Sequence, residues 1–294
     1  MKLVIAATPK VAIPTIEELQ KLHQVTIVTQ PDRPAGRGNR MRPSEIAQIF
    51  PDALKPVSEE DLQAILQGSD LLITIGYGRI LRIATLQIPR FGGINLHFSL
   101  LPKWRGAAPV QRSIEAGDEK SGVTVFQMDT GMDTGPIWRQ IEYVIPLGAS
   151  SNDLFEALSK LGIDALKQTL LDIQNGVKPT PQQGSATVAK KIDKAECVID
   201  WNRSADEIWR KIRAFGSNPG VSSKIRGSRI KIVEVKPISN STLNLSPGSL
   251  TQNGLVATGD GALQLIKVLP AGKSEMSAKD WLNGLKLKPG EQFE

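Results

Sequence analysis

The chain has 294 residues, 40% of them apolar and 22% charged, with one cysteine and two histidines. That length allows two domains with sizeable cores. The lack of a long uncharged apolar run argues against a membrane span, and one Cys with two His argues against a Cys/His zinc site or an internal disulfide framework. The net charge of +6 is uneven: residues 1–182 carry 19 basic and 19 acidic side chains, residues 183–294 carry 17 and 11. The excess therefore lies in the last third, which suits a polyanionic partner there or a solvated basic surface. The start, MKLVIAATP, lacks the pattern of a secretory leader, so a cytoplasmic location is expected.

Lys2–Ala7 reads as a buried parallel strand turned by Thr8-Pro9, 13–22 as a helix, and 25–28 as a second strand. A polar loop, 30–43, follows and carries Arg33, Arg37, Arg40 and Arg42 among glycines and prolines. Helices are expected at 44–50 and 59–67 with a short strand between them, then a strand at Leu71–Ile75 leading into Gly76-Tyr77-Gly78. This alternation predicts an α/β fold, a doubly wound and mainly parallel sheet of Rossmann-like type. Its ligands belong at the C-terminal ends of the strands.

Gly93–His97 is the next apolar run, and it delivers Asn95 and His97 to one side of a strand. Ser99-Leu100-Leu101-Pro102 and the small-residue turn 105–109 lead into a helix. A strand over 123–128 then ends at Asp129, and a glycine-rich bend carries Asp133. A strand at 137–145 and an amphipathic helix at Ser151–Gln174 follow. Residues 183–203 lose periodicity and form a linker between a first domain, 1–182, and a second, 204–294. Ser204-x-x-Glu207 is a capping box opening a helix through Ala214. Strand-like runs at 229–235, 249–251, 255–258 and 262–268 suit a small C-terminal β-barrel such as an OB-fold.

Asn95 offers an amide donor, and His97 donates from both nitrogens when protonated. Two donors aimed at one point suit a carbonyl oxygen gaining negative charge, with Asp133 holding His97 charged and assisting proton removal. Asp133 also suits a plain turn residue. No Gly-x-Ser-x-Gly elbow accompanies Ser99, so direct transfer between two bound substrates fits better than a covalent intermediate. The first turn, Ala7-Thr8-Pro9-Lys10, lacks the glycine fingerprint for pyrophosphate, which argues against a nicotinamide oxidoreductase.

The stretch Asn95-x-His97-x-Ser99-Leu100-Leu101-Pro102, followed by Asp133-Thr134-Gly135, resembles the folate-dependent formyltransferases. The likeness runs through Ala6-Ala7-Thr8-Pro9, 30–38, Tyr77-Gly78, 104–112, 127–135, Ile199-Asp200-Trp201, 256–260 and Met276-Ser277-Ala278. It is narrowest to the members that formylate methionyl-tRNA. The resemblance implies that 10-formyltetrahydrofolate, with no metal, donates a formyl group to the α-amine of initiator methionyl-tRNA for translation initiation. It also implies catalysis by Asn95, His97 and Asp133, and a folate pocket using Ser99, Leu100, Leu101, Pro102, Tyr77 and Gly78. By the same resemblance the loop around Arg37, with Arg33, Arg40 and Arg42, is the counterpart of the family's acceptor-stem-reading loop; from its residues alone it also suits an ordinary surface loop. On the second domain Lys190, Lys191, Lys194, Arg210, Lys211, Arg213, Lys224, Arg226, Arg229 and Lys231 are candidates for an electrostatic track for tRNA, each also suiting a solvated surface charge. The chain is expected to be a monomer. A formyltransferase for a small amine (a nucleotide precursor or amino sugar) and a non-catalytic RNA-binding relative remain alternatives. Phe98, Ala7, Val188 and Asn218-Pro219-Gly220 depart from the family's usual residues; alternation along the strand predicts that Phe98 points away from His97.

Overall fold

The computed structural model describes residues 1–35, 40–238, 245–288 and 290–294. The chain forms two compact units. One comprises Met1–Pro109, Glu119–Ile145 and Asp153–Lys190; the other comprises Val110–Asp118, Pro146–Asn152 and Lys191–Glu294.

The elements run β1 (Lys2–Ala7), α1 (Ile13–Gln20), β2 (Gln24–Val28), β3 (Arg33–Ala35), β4 (Arg40–Arg42), α2 (Glu45–Ile49), α3 (Glu59–Leu66), β5 (Leu71–Ile75), α4 (Ile83–Leu86), β6 (Gly93–His97) and β7 (Arg105–Gly106). They continue with α5 (Pro109–Ala116), β8 (Lys120–Gln127), β9 (Ile137–Val144), α6 (Ser151–Gln174) and β10 (Val188–Ala189). The main sheet has the order β2-β1-β5-β6-β8-β9. Its first four strands are parallel, while β8 and β9 are antiparallel to their neighbours. All five residues of β5 are buried, which is why its sequence, LLITI, is a continuous apolar run broken only by Thr74.

Strand β6 is set by packing on α6. A Cβ at Gly162 of that helix would lie 2.7 Å from Leu96 Cδ2, so only glycine allows the helix this close to the strand. Phe98 follows Leu96 to the same side and meets Phe155 edge to face, at a centroid separation of 5.9 Å. Alternation leaves Asn95 and His97 on the opposite side. Phe98 thus packs away from His97, as its place in the strand predicts.

Two expectations for this unit are corrected. The strand expected between α2 and α3 is a single bridge from Leu54 to Val28; Pro51 and Pro56 bracket it and supply no N–H to extend a ladder. The loop 30–43 contains a small antiparallel pair, β3 with β4.

The second unit contains α7 (Ala205–Phe215), opened by the reciprocal Ser204–Glu207 capping box, then β11 (Val221–Ile225), β12 (Ser228–Ile238), β13 (Leu255–Ala257), β14 (Ala262–Pro270), β15 (Met276–Ser277) and α8 (Ala278–Leu285). Its sheet is antiparallel, in the order β11-β12-β14-β13, with β15 sharing the free edge of β14. The register slips on either side of Glu234, the kind of irregularity that curls a strand. The expected barrel is therefore present as a curled, half-barrel sheet. The expected strand 249–251 reduces to isolated bridges from Ser249 and Leu250. Trp201, Phe293 and Trp281 stack in sequence, with centroids 5.0 and 6.1 Å apart, and Trp201 Nε1 donates to Ser223 Oγ. Trp201 is a core anchor. Among the described residues no helix is long and apolar enough to cross a membrane.

Candidate active site

Asn95 and His97 stand two residues apart on β6, with Thr74 of β5 in register beside Asn95. The Thr74 hydroxyl donates to Asn95 Oδ1 at 2.7 Å. An amide whose oxygen is taken in this way turns its NH2 group elsewhere, and among the described residues that group has no partner.

His97 is buried, with a side-chain exposure of 6%. Its Nε2 lies 2.9 Å from the Trp104 carbonyl. A carbonyl only accepts, so Nε2 carries the ring proton and Nδ1 is bare when the ring is neutral. Nδ1 faces Asp133 Oδ2 at 3.7 Å. Burial pushes the imidazole below its usual value, against opposing effects of Asp133 and the Trp104 carbonyl. The expectation of a histidine held charged by Asp133, donating beside the Asn95 amide, is therefore corrected. One nitrogen is spent on the backbone, and desolvation favours the neutral ring.

Asp133 sits at a φ of 56°, in the left-handed region that aspartate tolerates. Its Oδ2 also accepts the Gly106 N–H at 2.7 Å. The bend that carries it needs small residues. A Cβ at Gly135 would lie 1.7 Å from the Gln127 carbonyl, and one at Gly131 would lie 2.0 Å from Thr134 Oγ1. Asp129 closes the bend from below, accepting from Gly131 N and Thr134 Oγ1.

The segment Ser99-Leu100-Leu101-Pro102 is fastened to β8 and β9. Thr124 Oγ1 donates to the Ser99 carbonyl and accepts from Leu101 N, and Gln140 Nε2 donates to the Leu101 carbonyl. The Ser99 hydroxyl is 2.6 Å from the Lys103 carbonyl, to which it donates, and the residue is 1% exposed. Its proton is committed, so it is no nucleophile. The Tyr77 ring lies in the apolar cluster with Val4, Leu62 and Leu72, and its hydroxyl is buried without a hydrogen-bond partner. Its carbonyl accepts from Thr8 Oγ1 and Gln30 Nε2, and Gly78 follows at a φ of 75°.

The basic residues fall into two sets. Arg210 pairs with Asp206, Arg226 with Glu291, and Arg213 stacks on Trp209 while donating to the Ala149 carbonyl. Lys194, Lys224, Arg229 and Lys231 have no ion pair among the described residues and line a cleft of about 680 Å³ with Ser222 and Ser223 at its wall. Lys190 and Lys191 are exposed, as are Arg33, Arg40 and Arg42. Arg37 lies outside the described residues. Sequence reading gave no role to Thr74, Trp104, Gly106 or Gln182. Thr74 carried a signal as the lone polar residue of an apolar strand, and Trp104 and Gly106 lie in the stretch 104–112 that carries the resemblance.

Comparison with known proteins gives the class. The sequence matches the Formyl transferase model over residues 1–170 and the Formyl transferase, C-terminal domain model over residues 191–286. The chain belongs to the formyl transferase family. Among solved structures, HypX from Aquifex aeolicus in complex with tetrahydrofolic acid shares 18% identity at a TM-score of 0.69, over 98% of this chain and 47% of that one. The present chain thus spans about half the length of HypX. An N-formyltransferase from Helicobacter canadensis, in complex with folinic acid and dTDP-3-aminofucose, gives 21% and 0.67 over 92% and 98%. Methionyl-tRNA formyltransferase from Clostridium thermocellum gives 19% and 0.63 over 82% and 95%. At these identities the likeness establishes a shared fold.

Proposed function

We propose that this chain transfers the formyl group of 10-formyltetrahydrofolate to the α-amine of initiator methionyl-tRNA. In this reading the free N–H groups of Asn95 meet the formyl oxygen as negative charge develops on it. The bare Nδ1 of His97 takes the proton that the attacking amine releases, and Asp133 stabilises the imidazolium so formed. A bond forms between the amine nitrogen and the formyl carbon. The bond from that carbon to the folate nitrogen breaks, and this nitrogen takes the proton back from His97. Transfer is direct, because the Ser99 hydroxyl is already committed. The donor is assigned to Tyr77, Gly78 and Ser99-Leu100-Leu101-Pro102.

The tRNA half of the reading is carried by one observation. Four cations, Lys194, Lys224, Arg229 and Lys231, line one cleft of the second unit with no ion-pair partner among the described residues. A phosphate backbone, with its charges spread along a chain, suits a surface of several cations. The exposed arginines of β3 and β4 add a second basic element. The test is a formylation assay with 10-formyltetrahydrofolate, methionyl-tRNA and a dTDP-linked amino sugar as competing acceptors. Transfer to the charged tRNA is expected. Transfer to the sugar alone would overturn the proposal.

A further inference from the structure

Gln182 lies beyond the end of α6, and both ends of its side-chain amide are engaged. Nε2 donates to the carbonyls of Asp133 and Gly135, each at 2.8 Å. Oε1 accepts from Arg105 Nη2 at 2.7 Å and from Arg105 Nε at 3.2 Å. The residue after Arg105 is Gly106, whose N–H holds Asp133 Oδ2. Arg105, Gln182, Asp133 and Gly106 therefore close a ring around the carboxylate that faces His97.

The following residues hold the other partner. Thr187 Oγ1 accepts from Trp104 N at 2.8 Å, and its carbonyl accepts from Arg105 N at 2.9 Å. Trp104 in turn offers the carbonyl that binds His97 Nε2. Ala189 pairs with Gly106 where β10 runs parallel to β7, and a Cβ at Gly106 would lie 2.8 Å from the Ala189 carbonyl. Trp104 and Asp133 both have positive φ, 63° and 56°. Non-glycine residues keep that conformation where their surroundings over-determine it, and here residues 182–189 supply those surroundings.

We propose that 182–189 is a strap that sets the separation of His97 from Asp133, with Gln182 as its positioning residue. The inference rests on the reading of His97 and Asp133 as the reacting pair. Gln182 hydrogen-bonds to neither of their side chains; it acts by fixing the backbone on which the carboxylate stands. A loosened Asp133 would sit farther from Nδ1 and stabilise the imidazolium less.

The chain has only two histidines, so a His23→Ala background leaves a single imidazole to follow by NMR. In it, Gln182→Ala and Gln182→Glu are compared with the parent for His97 titration, kcat, donor KM and Tm. Gln182→Glu keeps the size and the link to Arg105 but loses the donor to Asp133 and Gly135, so it decides the matter should Gln182→Ala not fold. Expected are a His97 titration moved to lower pH and a kcat reduced by about 10-fold or more, with donor KM within about 2-fold. A folded variant with the parent's kcat and titration would overturn the strap. The titration needs no substrate. Full transfer by His97→Ala would instead sink the assignment of the reacting pair. An inactive His97→Ala beside normal Gln182 variants would sink the strap alone.

Discussion

His97 Nδ1 faces Asp133 Oδ2 at 3.7 Å while the opposite ring nitrogen donates to the Trp104 carbonyl. The separation is longer than a hydrogen bond, yet Asp133 is the acidic group whose charge acts on the ring. Burial lowers the His97 value and Asp133 raises it, burial being the larger effect. Asp133→Asn removes the upward influence, so the His97 titration moves further below 6.5. Formyl transfer falls by about 10²–10⁴-fold in the same variant, because the imidazolium formed when His97 acts as base loses its stabilising charge. Histidine NMR and a kinetic assay read the two effects separately. A titration moved upward would refute the assignment of charges.

The same group makes a stability statement. The folded chain holds His97 neutral to lower pH than the unfolded chain does. Between the folded value and 6.5 the unfolded state therefore binds more protons, and stability rises with pH. The contribution is complete above about 6.5 and is lost as pH falls through that value toward the folded one. His97→Asn, which carries no titrating ring, should lessen the acid sensitivity of Tm in this window. Thermal melts from about pH 5 to pH 7 test it, and an unchanged pH dependence would count against a buried neutral imidazole.

Phe98 and Leu96 show how the site strand is anchored, and the anchor is testable. Phe98 is 7% exposed and meets Phe155 edge to face. Phe98→Ala leaves a cavity between β6 and α6 and should cost about 3–5 kcal/mol. Because the ring lies opposite His97, donor KM is expected to stay within about 2-fold of the parent's. A stable variant with altered donor binding would mean that the ring reaches the pocket. Urea unfolding and donor titration give both quantities.

The legible parts of this chain were those governed by local pattern. Buried strands such as β1 and β5 declare themselves as short apolar runs, and Ser204 with Glu207 declares the start of α7, because each signal lies within a few residues. Asn95 and His97 were legible as partners because strand period alone joins them. What sequence could not give was the state of His97. That depends on Trp104, seven residues away through a left-handed backbone, and on the depth of burial. Gln182 was opaque for the same reason: its partners lie 47 to 77 residues back in the chain. The pairing of β3 with β4 was hidden because prolines and glycines in 30–43 read as punctuation, and α8 because it is short and follows a two-residue strand.

The basic cleft offers a measurement independent of catalysis. Lys194, Lys224 and Arg229 line it with Glu294 at its edge, and none of the three forms an ion pair among the described residues. If tRNA phosphates are neutralised there, changing all three to Gln should weaken binding and flatten its salt dependence. The slope of log K against log salt would fall by about 2–3, roughly 0.7–0.9 for each phosphate left without its cation. The weakening should be similar for initiator and elongator tRNA, since phosphate recognition carries no base information. An unchanged slope would remove this cleft from the tRNA surface.

The final prediction concerns the second unit in acid. Arg226 Nε and Nη2 engage the two oxygens of Glu291 at 2.5 and 2.7 Å, and the Lys288 N–H adds a third donor. The hydrogen bonds from Arg226, then that from Lys288, bring the Glu291 carboxyl down to about 2. Arg226 also donates to the carbonyls of Leu285 and Lys286, so the pair fastens the β11–β12 turn to the end of α8. A carboxyl with a depressed folded value stabilises the fold above its unfolded value of about 4.5, and that contribution is lost as pH falls through 4.5 toward 2. Glu291→Gln should therefore lower Tm at neutral pH, and the gap to the parent should close as the solution is acidified to about pH 2. High salt should narrow the gap as well, because the Arg226 side chain is 43% exposed, although Glu291, at 19%, is partly sheltered. A difference in Tm that persists undiminished at about pH 2 would assign the effect to packing and not to charge.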